Sequence, residues 1–297
     1  MRVAVIGHLT IDEVEIGGAR YTAMGGVACY ASLAARILGA EVEVISSVGS
    51  EFPKSYLAIL EKMGIDVSKV EIAGENETTR FRLTYSGEER IMKLLSRGRE
   101  IKLEEDYGDV DGIYLGPVAW ELDLESIRRL ATRFDKLLLD PQGLMRFVDE
   151  DGLVKLRSLD LKLPSLWILR ISREESKVLT GESDPKAMLK RLKSLGAEIT
   201  ILTLGREGSI ISRGSEEFKV PCYETEAVDP TGAGDVFGGA FLVELLRSGD
   251  LKWAAAMASA MTSIVVEDRS FKPLLSENAL DEAMRRAERI LDSIERF

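Results

Sequence analysis

Short apolar runs and amphipathic helical stretches alternate along most of this chain, and that alternation restricts its fold more than any other feature. VAVIG at 3–7, EVEVISSVG at 41–49, VDGIYLG at 110–116, KLLLD at 136–140, LWILRI at 166–171 and EITILTLG at 198–205 each read as a strand. Between them, the alanine-rich segment from Gly26 to Leu38 stops at Gly39, and LESIRRLATRF spans 124–134. DPKAMLKRLKSLG, at 184–196, has Asp184 as its cap, Pro185 in the first turn and Gly196 at its stop. Beyond Gly232 the pattern turns helical, near 233–247, 251–266 and 277–295. The expected architecture is an α/β fold, a doubly wound and mostly parallel sheet with helices on both faces.

One region breaks the alternation. TTRFRLTYSGEERIMKLLSRG, at 78–98, reads as two strands joined by SGEE. Arg80, Arg82 and Thr84 fall on one face, and Phe81, Leu83 and Tyr85 on the other. Residues 11–24 and 76–99 together are expected to form a small antiparallel β lid within a single domain spanning 1–297.

Composition narrows the function classes. With 50 acidic against 39 basic residues the net charge is −11, which opposes attraction to nucleic-acid phosphates. No apolar run reaches the roughly 18–20 residues that would cross a bilayer, and MRVAVIGHLTID is unlike a secretory leader. Cys29 and Cys222 belong to no CxxC, so neither a zinc cluster nor a disulfide framework is indicated, and a reducing cytoplasm is the simplest compartment. Two asparagines, one glutamine and 30% charged residues lean toward a protein from a hot environment.

The chemistry centres on AVDPTGAGDVFGGAF, 227–241. Ligands of parallel α/β sheets sit outside the carboxyl ends of strands, where helices begin. A helix starting near Gly232 aims unpaired N–H groups and the positive end of its dipole at an anion, and Gly232, Ala233 and Gly234 let phosphate approach the backbone. Asp235 would repel that phosphate unless it has a separate task, and taking a proton from an attacking hydroxyl is such a task. The competing reading is a glycine-rich turn in which Asp235 stabilises a helix start.

DPTGAGD resembles the C-terminal signature of the ribokinase-like, or PfkB, carbohydrate kinases, and the resemblance extends over nearly the whole chain. Gly7 through Asp12 resembles the family's opening GxxxxD, whose aspartate binds a substrate hydroxyl. Gly25 and Gly26 resemble its sugar-pocket glycine pair, and TLGREG at 203–208 resembles the nucleotide-side TxGxxG. The resemblance implies that Asp235 activates an acceptor hydroxyl for attack on the γ-phosphate of ATP, with amides from Gly232 to Asp235 as an anion hole. It implies nucleotide contacts at Thr203, Gly205, Gly208, Thr231, Gly232 and Gly234, a bridging Mg²⁺, and a water-excluding lid that often pairs across homodimers. ADP as donor stays open.

Three features refine what the resemblance implies. Tyr30 stands where the family often carries a sugar-binding asparagine. The NxxE element associated with magnesium appears as Ser172 through Glu175, where a helix-capping role for Ser172 competes with Glu175 as a water-mediated metal ligand. DPQGLMR resembles the DxQxxxR of inositol-type kinases, implying polyol- or phosphate-facing roles for Asp140, Gln142 and Arg146, against a plain turn with Arg146 in a surface ion pair. The basic set Arg80, Arg82, Arg90, Lys93, Arg97 and Arg99 suits either a phosphorylated sugar or a solvated or dimeric flap. His8, the single histidine, is expected near the pocket floor as a packing or hydroxyl-contacting group. The expected activity is ATP-dependent phosphorylation of a myo-inositol-like polyol or a pentose. Alternatives are a sugar phosphate such as ribose 1-phosphate, a nucleoside, or a silent nucleotide-binding sensor. A dinucleotide oxidoreductase is disfavoured because Gly7 is followed by HLTID rather than GxGxxG, and GK[ST] is absent.

Overall fold

A computed structural model describes residues 1–87, 89–104 and 106–297, with Glu89 as backbone only. The chain opens with β1 (Arg2–Ile6), β2 (Thr10–Ile16), β3 (Ala19–Gly25), α1 (Val27–Ile37) and β4 (Glu41–Val48). It continues through α2 (Lys54–Lys62), β5 (Ile65–Ile72), β6 (Thr79–Ser86), β7 (Glu89–Ser96), β8 (Gly112–Leu115), α3 (Leu124–Ala131) and β9 (Leu137–Leu139). Next come α4 (Gln142–Met145), β10 (Arg146–Val148), β11 (Val154–Leu156), β12 (Ile168–Ser172), α5 (Arg173–Thr180), α6 (Pro185–Lys193) and β13 (Ile199–Thr203). A 3₁₀ turn at Gly205–Glu207 leads to β14 (Ser209–Arg213), β15 (Glu216–Val220), α7 (Ala233–Ser248), α8 (Leu251–Val265), α9 (Ala279–Leu291) and β16 (Glu295–Arg296).

The large sheet runs β16-β15-β14-β13-β12-β9-β8-β1-β4-β5. From β5 to β13 every pairing is parallel, and β14, β15 and β16 add an antiparallel edge. No strand is expected from the sequence between 206 and 231, where β14 and β15 form. Alternation along β1 shows how both faces fill: Val3 and Val5 join the core under α1, α7 and α8, while Ala4 and Ile6 join the opposite core with Ile127 and Leu130 of α3. The chain leaves β1 for β4 and β5, then crosses back to β8 and β9, so order reverses between β1 and β8. Ligands of such sheets bind in the crevice at that switch point.

Two excursions from the carboxyl ends of strands build the lid. The β2–β3 hairpin leaves β1 and the β6–β7 hairpin follows β5, and they join as β3-β2-β6-β7. Both hairpins are antiparallel, and β2 meets β6 in parallel, with Asp12 opposite Phe81. Phe81 and Leu83 are buried while Arg82 is exposed, which is the alternation expected of 78–98; of the SGEE turn, residue 88 lies outside the described residues. His8 pins the lid root. One ring nitrogen meets Thr79 Oγ1 at 2.8 Å and the other meets the Arg99 carbonyl at 2.7 Å. Among the described residues no helix is long and apolar enough to cross a membrane.

Candidate active site

The loop before α7 is held by its own first aspartate. Asp229, buried beneath the surface, accepts from the Thr231 amide at 3.0 Å and from the Ser270 amide at 2.8 Å. Gly232 then adopts a left-handed conformation (φ 78°), and a Cβ there would stand 2.4 Å from the Tyr30 ring. Tyr30, expected at the acceptor pocket, is only 2% exposed and packs under the glycine turn with its hydroxyl 3.4 Å from Ser270 Oγ. The Ala233 amide donates to the Pro230 carbonyl at 3.2 Å. Gly232 is the N-cap of α7, and Gly234 and Asp235 lie in its first turn, where helical geometry leaves donors unpaired.

Asp235 stands at the end of a short relay. Gln142, at the start of α4, donates to Asp235 Oδ1 at 3.0 Å, and Arg146 donates to Gln142 Oε1 at 2.6 Å. The second arm of the Arg146 fork binds the Val118 carbonyl at 2.8 Å, so the guanidinium is fixed in direction. Arg146 is buried, not a surface ion-pair member. Burial pushes the Asp235 carboxyl up to about 7, and the charge of Asp140 adds to it, against Arg170, Gln142 and Arg146.

Asp140 and Arg170 form a buried pair at 2.6 Å beside that relay. Asp140 has no exposed surface and is also reached by the Tyr114 hydroxyl at 3.5 Å. Burial works against the Arg170 charge, but Asp140 outweighs it and holds the guanidinium protonated. Its other terminal nitrogen donates to Thr203 Oγ1 at 2.9 Å, joining Asp140 to the TLGREG segment, where Gly205 opens a 3₁₀ turn and Gly208 precedes β14. Sequence reasoning missed Arg170. The available signal was a lone charge inside the apolar run LWILRI, which burial without a partner would make very costly.

Asp12 lies on the lid side. Its Oδ1 accepts from Thr10 at 2.7 Å, and a Cβ on Gly25 would fall 2.0 Å from its Oδ2, so this carboxylate needs glycine there. Gly26 caps α1. Burial pushes Asp12 up to about 6, opposed by Thr10, Arg146 and Arg90. The Arg146 charge thus favours the ionised form of both Asp12 and Asp235. The basic set disperses: Arg82 pairs with Glu13, Arg99 with Glu77, and Arg97 holds the Ala119 and Trp120 carbonyls, while the charge of Arg90 acts on Asp12. Ser172 caps α5 in a reciprocal box, with its Oγ accepting from the Glu175 amide at 3.3 Å and Glu175 Oε2 accepting from the Ser172 amide at 2.9 Å. The buried Glu175 charge still acts on Asp140, Arg146 and Arg170. Among the described residues no group of three or more His, Cys, Asp or Glu side chains could hold a metal by itself.

The chain is 29% identical over 259 residues to cytidine kinase of Thermococcus kodakarensis, covering 84% of this chain and 90% of that protein. It is 27% identical over 307 residues to inositol 3-kinase of Arabidopsis thaliana, covering 96% and 80%. A pyrophosphate-dependent kinase of the ribokinase family, solved with a pyrophosphate analogue and myo-inositol, superposes with a TM-score of 0.76 at 24% identity over 89% of this chain and 95% of that one. That likeness shows a shared ribokinase-like fold. The profile of the pfkB family carbohydrate kinases matches residues 3–277. With a glycine-bounded helix start, an aspartate in its first turn and a lid over a switch-point crevice, this chain belongs to the pfkB family of carbohydrate kinases and is a phosphotransferase acting on alcohol groups.

Proposed function

We propose that this kinase transfers the γ-phosphoryl group of ATP to a hydroxyl of a small polyol, with myo-inositol as the first acceptor to try, pentoses next, and Asp235 as general base. The observation that carries the reading is the Arg146–Gln142–Asp235 relay. Gln142 occupies one oxygen of Asp235 and leaves the other as acceptor for a substrate proton. Burial raises this carboxyl enough to take that proton near neutrality. The acceptor oxygen forms its bond to the γ-phosphorus as the bond to the β,γ-bridging oxygen breaks, ADP departs, and the proton on Asp235 passes to solvent. Asp12, Arg146 and Arg90 are a charged and hydrogen-bonding set suited to vicinal hydroxyls. The α7 N-terminus with Gly232 and Gly234, beside Thr231, Thr203 and the Gly205–Gly208 turn, is suited to a nucleotide's phosphates.

The residues fit a magnesium ion held largely by phosphate oxygens and water, the usual habit of Mg²⁺, with Glu175 as a carboxylate that would reach it through water. When bound, it would neutralise phosphate charge. A nucleoside acceptor is the second reading, favoured by the 29% identity to a cytidine kinase. The net charge of −11 argues against nucleic-acid partners, and two unpaired cysteines suit a reducing cytoplasm. Ile91 and Leu95, exposed on β7, support a homodimer through the lid.

The test is a mass-spectrometric phosphotransfer screen of wild type and Asp235→Asn against myo-inositol, ribose, cytidine, ribose 1-phosphate and fructose 6-phosphate, with ATP, ADP and pyrophosphate as donors. Phospho-inositol or a pentose phosphate from ATP, nearly lost in Asp235→Asn, is the expected result. A product from cytidine alone would move the acceptor to the second reading, and nucleotide binding without any product would favour a silent sensor.

A further inference from the structure

Two tyrosines on different lid strands reach the loop that precedes α7. Tyr21, on β3, donates its phenolic hydroxyl to the carboxylate of Asp229. Tyr85, on β6, shares a hydrogen bond of 2.9 Å with Thr231 Oγ1. Both belong to the acceptor cover, and both partners belong to the DPTGAGD segment. Asp229 is almost wholly buried and already holds the Thr231 and Ser270 amides, so its carboxylate is the fixed post and the lid hydroxyl the movable partner. Burial keeps both phenols protonated, with Asp229 reinforcing the effect at Tyr21, so the donor at Tyr21 survives any ordinary pH. A lid that lifted away would leave buried polar atoms to find water, which makes the docked position a defined state.

We propose that Tyr21 and Tyr85 are positioning residues that latch the closed lid onto Asp229 and Thr231, so that enclosing an acceptor and setting the phosphate-facing turn become one two-state event. The geometry explains the coupling. Thr231 adjoins Gly232, whose left-handed conformation and contact with Tyr30 allow that turn little independent movement. Shifting Thr231 therefore shifts the amides that open α7, and phosphoryl transfer depends steeply on such placement. Coupling of this kind is reciprocal: a ligand that orders the loop holds the lid, and a closed lid tightens the loop's ligand. Both halves lie in one chain, so the latch operates in each protomer whatever the oligomeric state. Only its catalytic consequence rests on the kinase reading.

Hydrogen exchange followed by mass spectrometry tests the latch without any acceptor. In ligand-free Tyr21→Phe/Tyr85→Phe, amides of residues 10–25 and 79–87 are expected to exchange roughly tenfold faster than in wild type, with β1, β8 and β12 unchanged. Adding MgADP should slow lid exchange in wild type and leave it unslowed in the variant, while calorimetry still detects ADP bound to both. Thr231→Val breaks the Tyr85 contact from the other side and should match Tyr85→Phe alone in lid exchange. Unchanged lid exchange in the ligand-free variant, acceleration spread through the core strands, or lid protection by MgADP that persists without the hydroxyls would each overturn the latch. Failure of wild type to bind ADP would count against the kinase reading, and the ligand-free comparison would still decide the latch.

Discussion

The Arg170 guanidinium occupies the space where a side chain on Gly234 would begin: a Cβ there would lie 2.2 Å from the terminal nitrogen that binds Thr203. That guanidinium is pinned by Asp140 on one side and Thr203 on the other, so it cannot swing aside without breaking a buried ion pair. Gly234→Ala is expected to destabilise by about 1–3 kcal/mol through overpacking and to lower kcat at least tenfold. Thermal denaturation and steady-state kinetics check it; an alanine variant with wild-type values for both would show that Arg170 moves freely.

Asp235 sets a pH limb. Its carboxyl is raised to about 7, chiefly by burial, and a general base works only when deprotonated. Activity is expected to rise with pH through about 7 and to fall about tenfold per unit below it. The stability effect has the opposite sign. A raised carboxyl pKa means that the folded state prefers the proton, so stability is lost as pH rises from the unfolded value near 4 to the folded value near 7. Asp235→Asn should therefore lose nearly all activity yet be more stable than wild type at pH 8, on the order of 1–2 kcal/mol once partial exposure is allowed for. The gain should vanish at pH 4, and a pH-independent Tm difference would contradict it.

Gln142 should tune that limb. It donates to Asp235 while accepting from Arg146, and only an amide can do both in one orientation. Gln142→Glu keeps the Arg146 contact, removes the donor and puts a second negative charge beside Asp235. The rising limb of kcat/KM is expected to move about one unit toward alkaline pH. Arg146→Lys loses the two-armed hold on Val118 and Gln142, and should lower kcat without moving the limb as far. A pH profile for each variant separates the two effects.

The sheet and the glycine loop were legible because their signals are local. The strand LWILRI, the cap at Asp184 and the helix start near Gly232 depend on neighbours within a few residues. The relay at Asp235 was half legible: the string DPQGLMR marked Gln142 and Arg146, but only the fold brings Gln142 to a residue 93 positions away. The orientation of Tyr30 was not legible, because a substitution does not reveal which way the larger ring turns; it packs beneath Gly232, where glycine leaves room. The lid tyrosines had no local signal, since their partners lie 208 and 146 residues distant. The parallel β2–β6 pairing was equally hidden, because two separate hairpins give no sequence clue to the register in which they meet.

Ser172 and Glu175 allow capping to be separated from metal handling. In the capping box the Ser172 hydroxyl serves the Glu175 amide, and the Glu175 carboxylate serves the Ser172 amide. Ser172→Ala removes the first bond and should cost about 1 kcal/mol of stability. Ser172→Asn replaces one good cap with another, so its Tm should stay near wild type. Glu175→Gln retains an oxygen for the return bond but removes the charge, and the capping box tolerates either residue. If Glu175 only caps, Glu175→Gln will match wild type in both Tm and the magnesium concentration giving half-maximal rate. If its charge also serves the ion, Tm will hold while that concentration rises several-fold, and the second pattern is the one expected. Glu175 is buried within electrostatic reach of Asp140, Arg146 and Arg170, a placement that a cap alone does not require.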